Sequence, residues 1–132
     1  MPSEAPRALV LCRHAGCLMN YGRLLNRLGF FRLSLCARAE VLQRLEPERR
    51  YGLFLLDELA LTDDNLRCLE QLAQQQVYTH LLVTGDYAPE QRQALLDWAW
   101  RAHIPLLAVM AKPFSFMHLR DALDSLVAFE KA

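Results

Sequence analysis

Five short apolar runs, separated by segments of helical period, constrain this chain most. The runs span residues 8–12, 30–35, 51–56, 81–83 and 106–111. Each is too short for a helix and is bounded by polar or turn-forming residues. Each therefore reads as a strand, the first of them buried. Between them, Leu18, Tyr21, Leu25 and Leu28, widened by Leu24, give a first helix that stops at Gly29. Residues 38–45 give a short second helix, closed by Pro47. Thr62 or Asp63 caps a third, with Leu66, Leu69, Leu72 and Ala73 on its apolar face. Pro89 opens a fourth that runs to Ala102, and Ser115 caps a fifth with Leu119, Leu123 and Leu126 on one face.

Strict alternation of strand and helix means a parallel sheet covered on both faces. At 132 residues the chain fits one domain, 1–132 with a core of about 7–128, and needs neither disulfide nor metal to fold. The expected class is α/β: a flavodoxin-like, doubly wound, five-stranded parallel sheet in the order 2-1-3-4-5 with five helices. Lys plus Arg and Asp plus Glu are each 15, a balance that argues against nonspecific binding to nucleic acid or an anionic membrane. No apolar run approaches the roughly 20 residues of a membrane span, and residues 1–4 lack signal-peptide character. A cytoplasmic location is expected. Cys12, Cys17, Cys36 and Cys68 fit no CxxC or zinc spacing and read as small buried hydrophobes.

In doubly wound sheets the site lies at the carboxyl ends of the strands. Those ends carry Cys12 and Arg13, Asp57, Thr84 and Lys112. A carboxylate, a hydroxyl and an ammonium converging on one crevice suit an anionic group such as a phosphoryl.

With these residues in place, the chain resembles the receiver domain of two-component response regulators, over residues 7–127. The resemblance rests on a strand ending in Asp57, one ending in Thr84, and one ending in Lys112-Pro113-Phe114; residues 24–30, LLNRLGF, also look like the end of the first receiver helix. It implies that Asp57 accepts a phosphoryl group from a histidine kinase, that Thr84 bonds the phosphoryl, and that Lys112 pairs with it across a commonly cis bond to Pro113. It also implies a Mg²⁺ held by two adjacent acids after the first strand. Here those positions are Cys12 and Arg13. A thiol is a poor ligand for Mg²⁺ and a guanidinium repels it.

Weak or absent Mg²⁺ binding, no other cofactor and impaired phosphorylation of Asp57 are therefore expected. Arg13 has two readings: an ion pair with Asp57 in the metal's place, or a side chain directed to solvent. Glu58 and Asp86 are near enough in sequence to compensate, although neither matches a metal ligand of the family. Residues 59–65 lack the usual Met-Pro and Asp-Gly, and Val109 stands where many receivers carry a switch aromatic, three positions before the lysine.

Trp98 and Trp100, two residues apart on the fourth helix, cannot both face the core. Trp98 lies at the edge of the stripe of Leu95, Ala99 and Ala102; Leu96 and Trp100 define a second. That second stripe is the candidate interaction face, or else Trp100 covers the core edge. His14, His80, His103 and His118 show no metal spacing. Cys12 beside Arg13 is either an inert buried thiol or one with lowered pKa.

Three functions remain. The first is an atypical receiver acting by protein contact, not as an enzyme. The second is a working phosphoacceptor at Asp57. The third is a flavodoxin-like redox domain using Cys12. The expected partner is a protein (histidine kinase, output domain or another signalling protein) or a second copy in a homodimer, with neither nucleic acid nor membrane. The domain acts on a partner or forms one part of a longer protein.

Overall fold

The computed structural model describes residues 7–131; side chains beyond 124, including Leu126, lie outside the described residues. Strand β1 is Arg7–Leu11, β2 Arg32–Cys36, β3 Leu53–Asp57, β4 Leu81–Thr84 and β5 Leu106–Met110. Helix α1 is Ala15–Arg27, α2 Asp63–Gln74, α3 Pro89–Arg101 and α4 Phe116–Lys131. All pairings are parallel, in the order β2-β1-β3-β4-β5. The expected topology is the observed one.

Side chains alternate across the sheet, so each strand feeds two cores. Leu9, Leu11, Phe54, Leu56, Leu81 and Val83 face Leu69 and Leu72 of α2 and Leu95, Trp98 and Ala99 of α3. Ala8, Val10, Leu53, Leu55 and Leu82 face Tyr21 and Leu25 of α1 and Leu119 and Leu123 of α4. Leu9, Leu53, Leu55, Leu56, Leu81 and Leu82 have no exposure. At about 25 cal/mol per Å² of apolar area removed from water, this double burial is what holds the sheet.

Local signals set the helix ends. Thr62 caps α2 by accepting the Asn65 N–H at 3.2 Å. Ser115 Oγ accepts the His118 N–H at 3.2 Å, while His118 Nδ1 accepts the Ser115 N–H at 3.3 Å. Gly29 follows α1 at φ +97°, a conformation costly for any residue with a Cβ, and the Phe30 N–H closes on the Leu25 carbonyl at 2.9 Å.

Two local expectations are corrected. The segment expected to form a helix over 38–45 is a 3-10 helix, Ala39–Arg44. Six residues closed by Glu46-Pro47 give too few i→i+4 bonds to hold an α-helix. Tyr51, expected in the third strand, forms an isolated parallel bridge with Tyr78 before β3 begins at Leu53.

The fourth helical segment of the sequence is α3. There Trp98 is 8% exposed while Leu96 and Trp100 are 40% and 85% exposed. Leu96, Trp100, His103 and Pro105 line a shallow groove of about 400 Å³ between α3 and β5. No described helix is long and apolar enough to cross a membrane.

Candidate functional site: a filled carboxylate at the sheet's carboxyl edge

Strand parity builds the site. Asp57 continues the Leu53, Leu55 alternation, Thr84 continues Leu82, and Cys12 continues Ala8 and Val10. All three therefore turn to the α1 side of the sheet. Asp57 and Thr84 are also register partners at the end of the β3–β4 ladder. Lys112, whose bond to Pro113 is cis, reaches the same point from the loop after β5. The structure thus brings together Asp57, Thr84 and Lys112, as well as Cys12.

It adds one residue that sequence reasoning placed only in the apolar stripe of α1. The Tyr21 hydroxyl donates to Asp57 Oδ1 at 2.7 Å. Thr84 Oγ1 donates to the same oxygen at 2.8 Å, and the two hydroxyl oxygens lie 3.0 Å apart. Two hydroxyl protons cannot serve three short contacts at once, and the charged acceptor takes both. On the other oxygen, Oδ2, Cys12 Sγ donates at 3.3 Å and Lys112 Nζ at 3.3 Å. Lys112 Nζ is also 3.2 Å from Oδ1. A carboxylate offers about four lone-pair sites, and here four donors occupy them. The Asp57 side chain is 1% exposed.

The electrostatics follow from this packing. Burial pushes Asp57 up, but the hydrogen bonds from Tyr21, Thr84, Cys12 and Lys112 together outweigh it and hold the carboxyl below the usual carboxylate range. Burial lowers Lys112, yet its bond to Asp57 and the charges of Asp57 and Glu58 leave it raised. Burial raises Tyr21, and the neighbouring Asp57 adds to that, so the phenol stays a proton donor. Cys12 is pushed up to about 11, first by burial and then by Asp57, against a lowering from the backbone of His14. The reading of Cys12 as a low-pKa thiol is therefore corrected: burial, and after it Asp57, raises the thiol.

Arg13 takes the second of its two readings. It is exposed, with no ion pair or hydrogen bond to Asp57. Adjacent residues at a strand end point opposite ways, so with Cys12 turned in, Arg13 turns out. It lines an open cleft of about 380 Å³ whose walls also include Arg38, Glu40, Glu58, Asn65 and, at the buried end of the cleft, Asp57. Glu58 and Asp86 do not touch Asp57. Glu58 Oε1 lies 3.8 Å from Lys112 Nζ, and Asp86 Oδ1 accepts the Lys112 N–H at 3.3 Å. Val109 is buried in the core, and no histidine is among the hydrogen-bond partners of Asp57, which are Cys12, Tyr21, Thr84 and Lys112.

The Mg²⁺ implied by this arrangement of strand ends asks for hard oxygen ligands in near-octahedral geometry. The residues here do not fit it. A buried thiol and an outward guanidinium stand in the places of the acidic pair, and the lone pairs of Asp57 face hydrogen-bond donors.

No family model matches the sequence, and no curated protein matches it. Solved structures do. A Burkholderia pseudomallei protein named as related to pilus assembly is 27% identical, with a TM-score of 0.70 over 94% of this chain and 90% of that one. A Burkholderia thailandensis protein named for pilus assembly, cpaE, is 24% identical, with a TM-score of 0.73 over 93% and 98%. The signal receiver domain of an HD domain-containing protein from Pseudomonas fluorescens is 20% identical, with a TM-score of 0.71 over 97% and 98%. With its strand order and the placement of Asp57, Thr84 and Lys112, the chain has the fold of response-regulator receiver domains.

Proposed function

We propose that this domain is a receiver-type signalling module that works through protein contacts, without a Mg²⁺-dependent phosphorylation cycle at Asp57. One observation carries the reading: donors from its own chain fill the acceptor sites of Asp57, and its side chain is closed to solvent. A phosphoacceptor needs a free lone pair aimed at the incoming phosphorus and a cation to neutralise the developing charge. Here the lone pairs are taken, and with Cys12 and Arg13 in place of the acidic pair the one cation at Asp57 among the described residues is Lys112, itself bound to that carboxylate. The raised pKa and burial of Cys12 count equally against a redox role for that thiol.

The module is not an enzyme, and its output face is α3 with β5, where Leu96 and Trp100 are exposed. Exposed aromatics of this size anchor protein interfaces. Two of the similar structures carry names tied to pilus assembly, so a component of such an assembly system is the first partner to test, before a histidine kinase or a second copy.

The test is a Mg²⁺ titration with and without beryllofluoride, followed by tryptophan fluorescence and amide NMR shifts, with Asp57→Asn as the control. The reading expects no saturable, Asp57-dependent response at millimolar Mg²⁺. Saturation that disappears in Asp57→Asn would restore the phosphoacceptor reading.

A further inference from the structure

Tyr21 sits at a junction of four elements. Its hydroxyl reaches the ends of β3 and β4 through Asp57 and Thr84. Its ring stacks on Phe114, in the loop between β5 and α4, at a centroid distance of 5.9 Å and an interplanar angle of 27°. The loops beyond those strand ends are joined to one another in turn. The Glu58 N–H donates to the Thr84 carbonyl at 2.7 Å, and the Tyr87 hydroxyl to the Leu59 carbonyl at 2.8 Å. The Gly85 N–H donates to the Met110 carbonyl at 2.9 Å. Gly85 adopts φ +152°, and a Cβ there would lie 3.0 Å from the Tyr87 ring and 3.4 Å from Glu58 Cα. The two loops pack too closely to move separately. The second of them leads directly into α3.

We propose that Tyr21 is an internal latch: from inside the domain its hydroxyl occupies the same Asp57 oxygen to which Thr84 donates, fixing the loops after β3 and β4, and so the start of α3, in one arrangement without covalent modification. Tyr21 is a positioning residue, acting on the α3 face through Asp57 and Thr84. The proposal rests on the reading of Asp57 as a filled, non-accepting carboxylate and names the group that fills it. It makes the exposed α3 face a standing surface, presented at all times to whatever partner it binds.

Tyr21→Phe removes the hydroxyl and keeps the ring on Phe114. Amide hydrogen exchange on the full chain, read by NMR, is the measurement, with Thr84→Val as a second variant that removes the other hydroxyl. The latch predicts that Tyr21→Phe speeds exchange at residues 57–59 and 84–88 by about tenfold beyond the even increase that its loss of global stability brings to the core amides, the size expected from loss of one hydrogen bond to a charged group. Thr84→Val gives the same pattern, and the double variant adds less than the product of the two. A purely structural tyrosine would instead speed exchange evenly across β1, β3 and α1 through global unfolding, with no excess at the two loops. That even pattern, or no change at 84–88, overturns the latch. Beryllofluoride binding to the unaltered protein at Asp57 would overturn the underlying reading separately, whatever the exchange result.

Discussion

The Tyr21 hydroxyl lies closer to Asp57 than the Lys112 ammonium does, 2.7 Å from Oδ1 against 3.2 Å. A neutral donor from α1 thus makes the shorter contact to the central acid, and the cation closes the pocket from its rim. The ordering matters for stability because a hydrogen bond to a buried charge, once lost, leaves that charge partly unsolvated. Tyr21→Phe is therefore expected to cost about 1.5–3 kcal/mol, measured by urea unfolding, with little change in the m-value.

The pH dependence of folding has a definite sign at both ends. Asp57 is held below the usual carboxylate range in the folded state. Its contribution is present above its unfolded pKa of about 3.9 and is lost as pH falls through the lower folded value. Lys112 is raised, so its contribution is present below its unfolded pKa of about 10.4 and is lost as pH rises through the higher folded value. Asp57→Asn should flatten the acid limb of a plot of urea midpoint against pH relative to the unaltered chain. An unchanged acid limb would mean that Asp57 is not stabilised as drawn.

Trp98 and Trp100 should behave as opposites. Trp98→Ala opens a hole against Leu95 and the sheet and should cost about 3–5 kcal/mol. Trp100→Ala should stay within about 0.5 kcal/mol. In the folded protein, acrylamide should quench Trp100 and leave Trp98 largely protected, so the Trp100→Ala variant loses most of its quenchable fluorescence. Strong quenching of Trp98 would contradict the packing of α3.

Thiol reactivity gives a fourth check. Cys17 is exposed, while Cys12 is buried and raised to about 11. Burial also raises Cys36 and Cys68. A disulfide reagent at neutral pH should label one cysteine quickly, and Cys17→Ser should abolish that phase. Labelling of Cys12 should appear only with denaturant.

The sheet was legible in the sequence because four of its strands lie in short unbroken apolar runs, and the regular alternation with helices places the more exposed edge strand β2, which carries Arg32 and Ser34, among few arrangements. Asp57, Thr84 and Lys112 were legible because each ends such a run. Tyr21 was not, for a specific reason. In the periodicity of α1 it counts as one more apolar residue beside Leu18 and Leu25, and periodicity does not report where a hydroxyl goes. A signal did exist: a tyrosine on a core-facing stripe needs a buried partner for its O–H, and Tyr21 lies in the second turn of a helix that begins just after β1 ends. For Arg13 the sequence leaves two readings open as long as charge is weighed without direction. Residues 12 and 13 leave the strand on opposite sides, so only one of them can meet Asp57.

The last rung of the β3–β4 ladder is fastened twice. One fastening is the main chain, from the Glu58 N–H to the Thr84 carbonyl; the other is the side chains, from Thr84 Oγ1 to Asp57 Oδ1. Under load or heat, a parallel sheet frays where strands have one neighbour, and here those are β2 and β5. The middle of this sheet is bolted at the end that faces the loops. Disassembly should run inward from the margins and reach the Asp57–Thr84 rung last, making the apparent signalling centre the most durable part of the molecule.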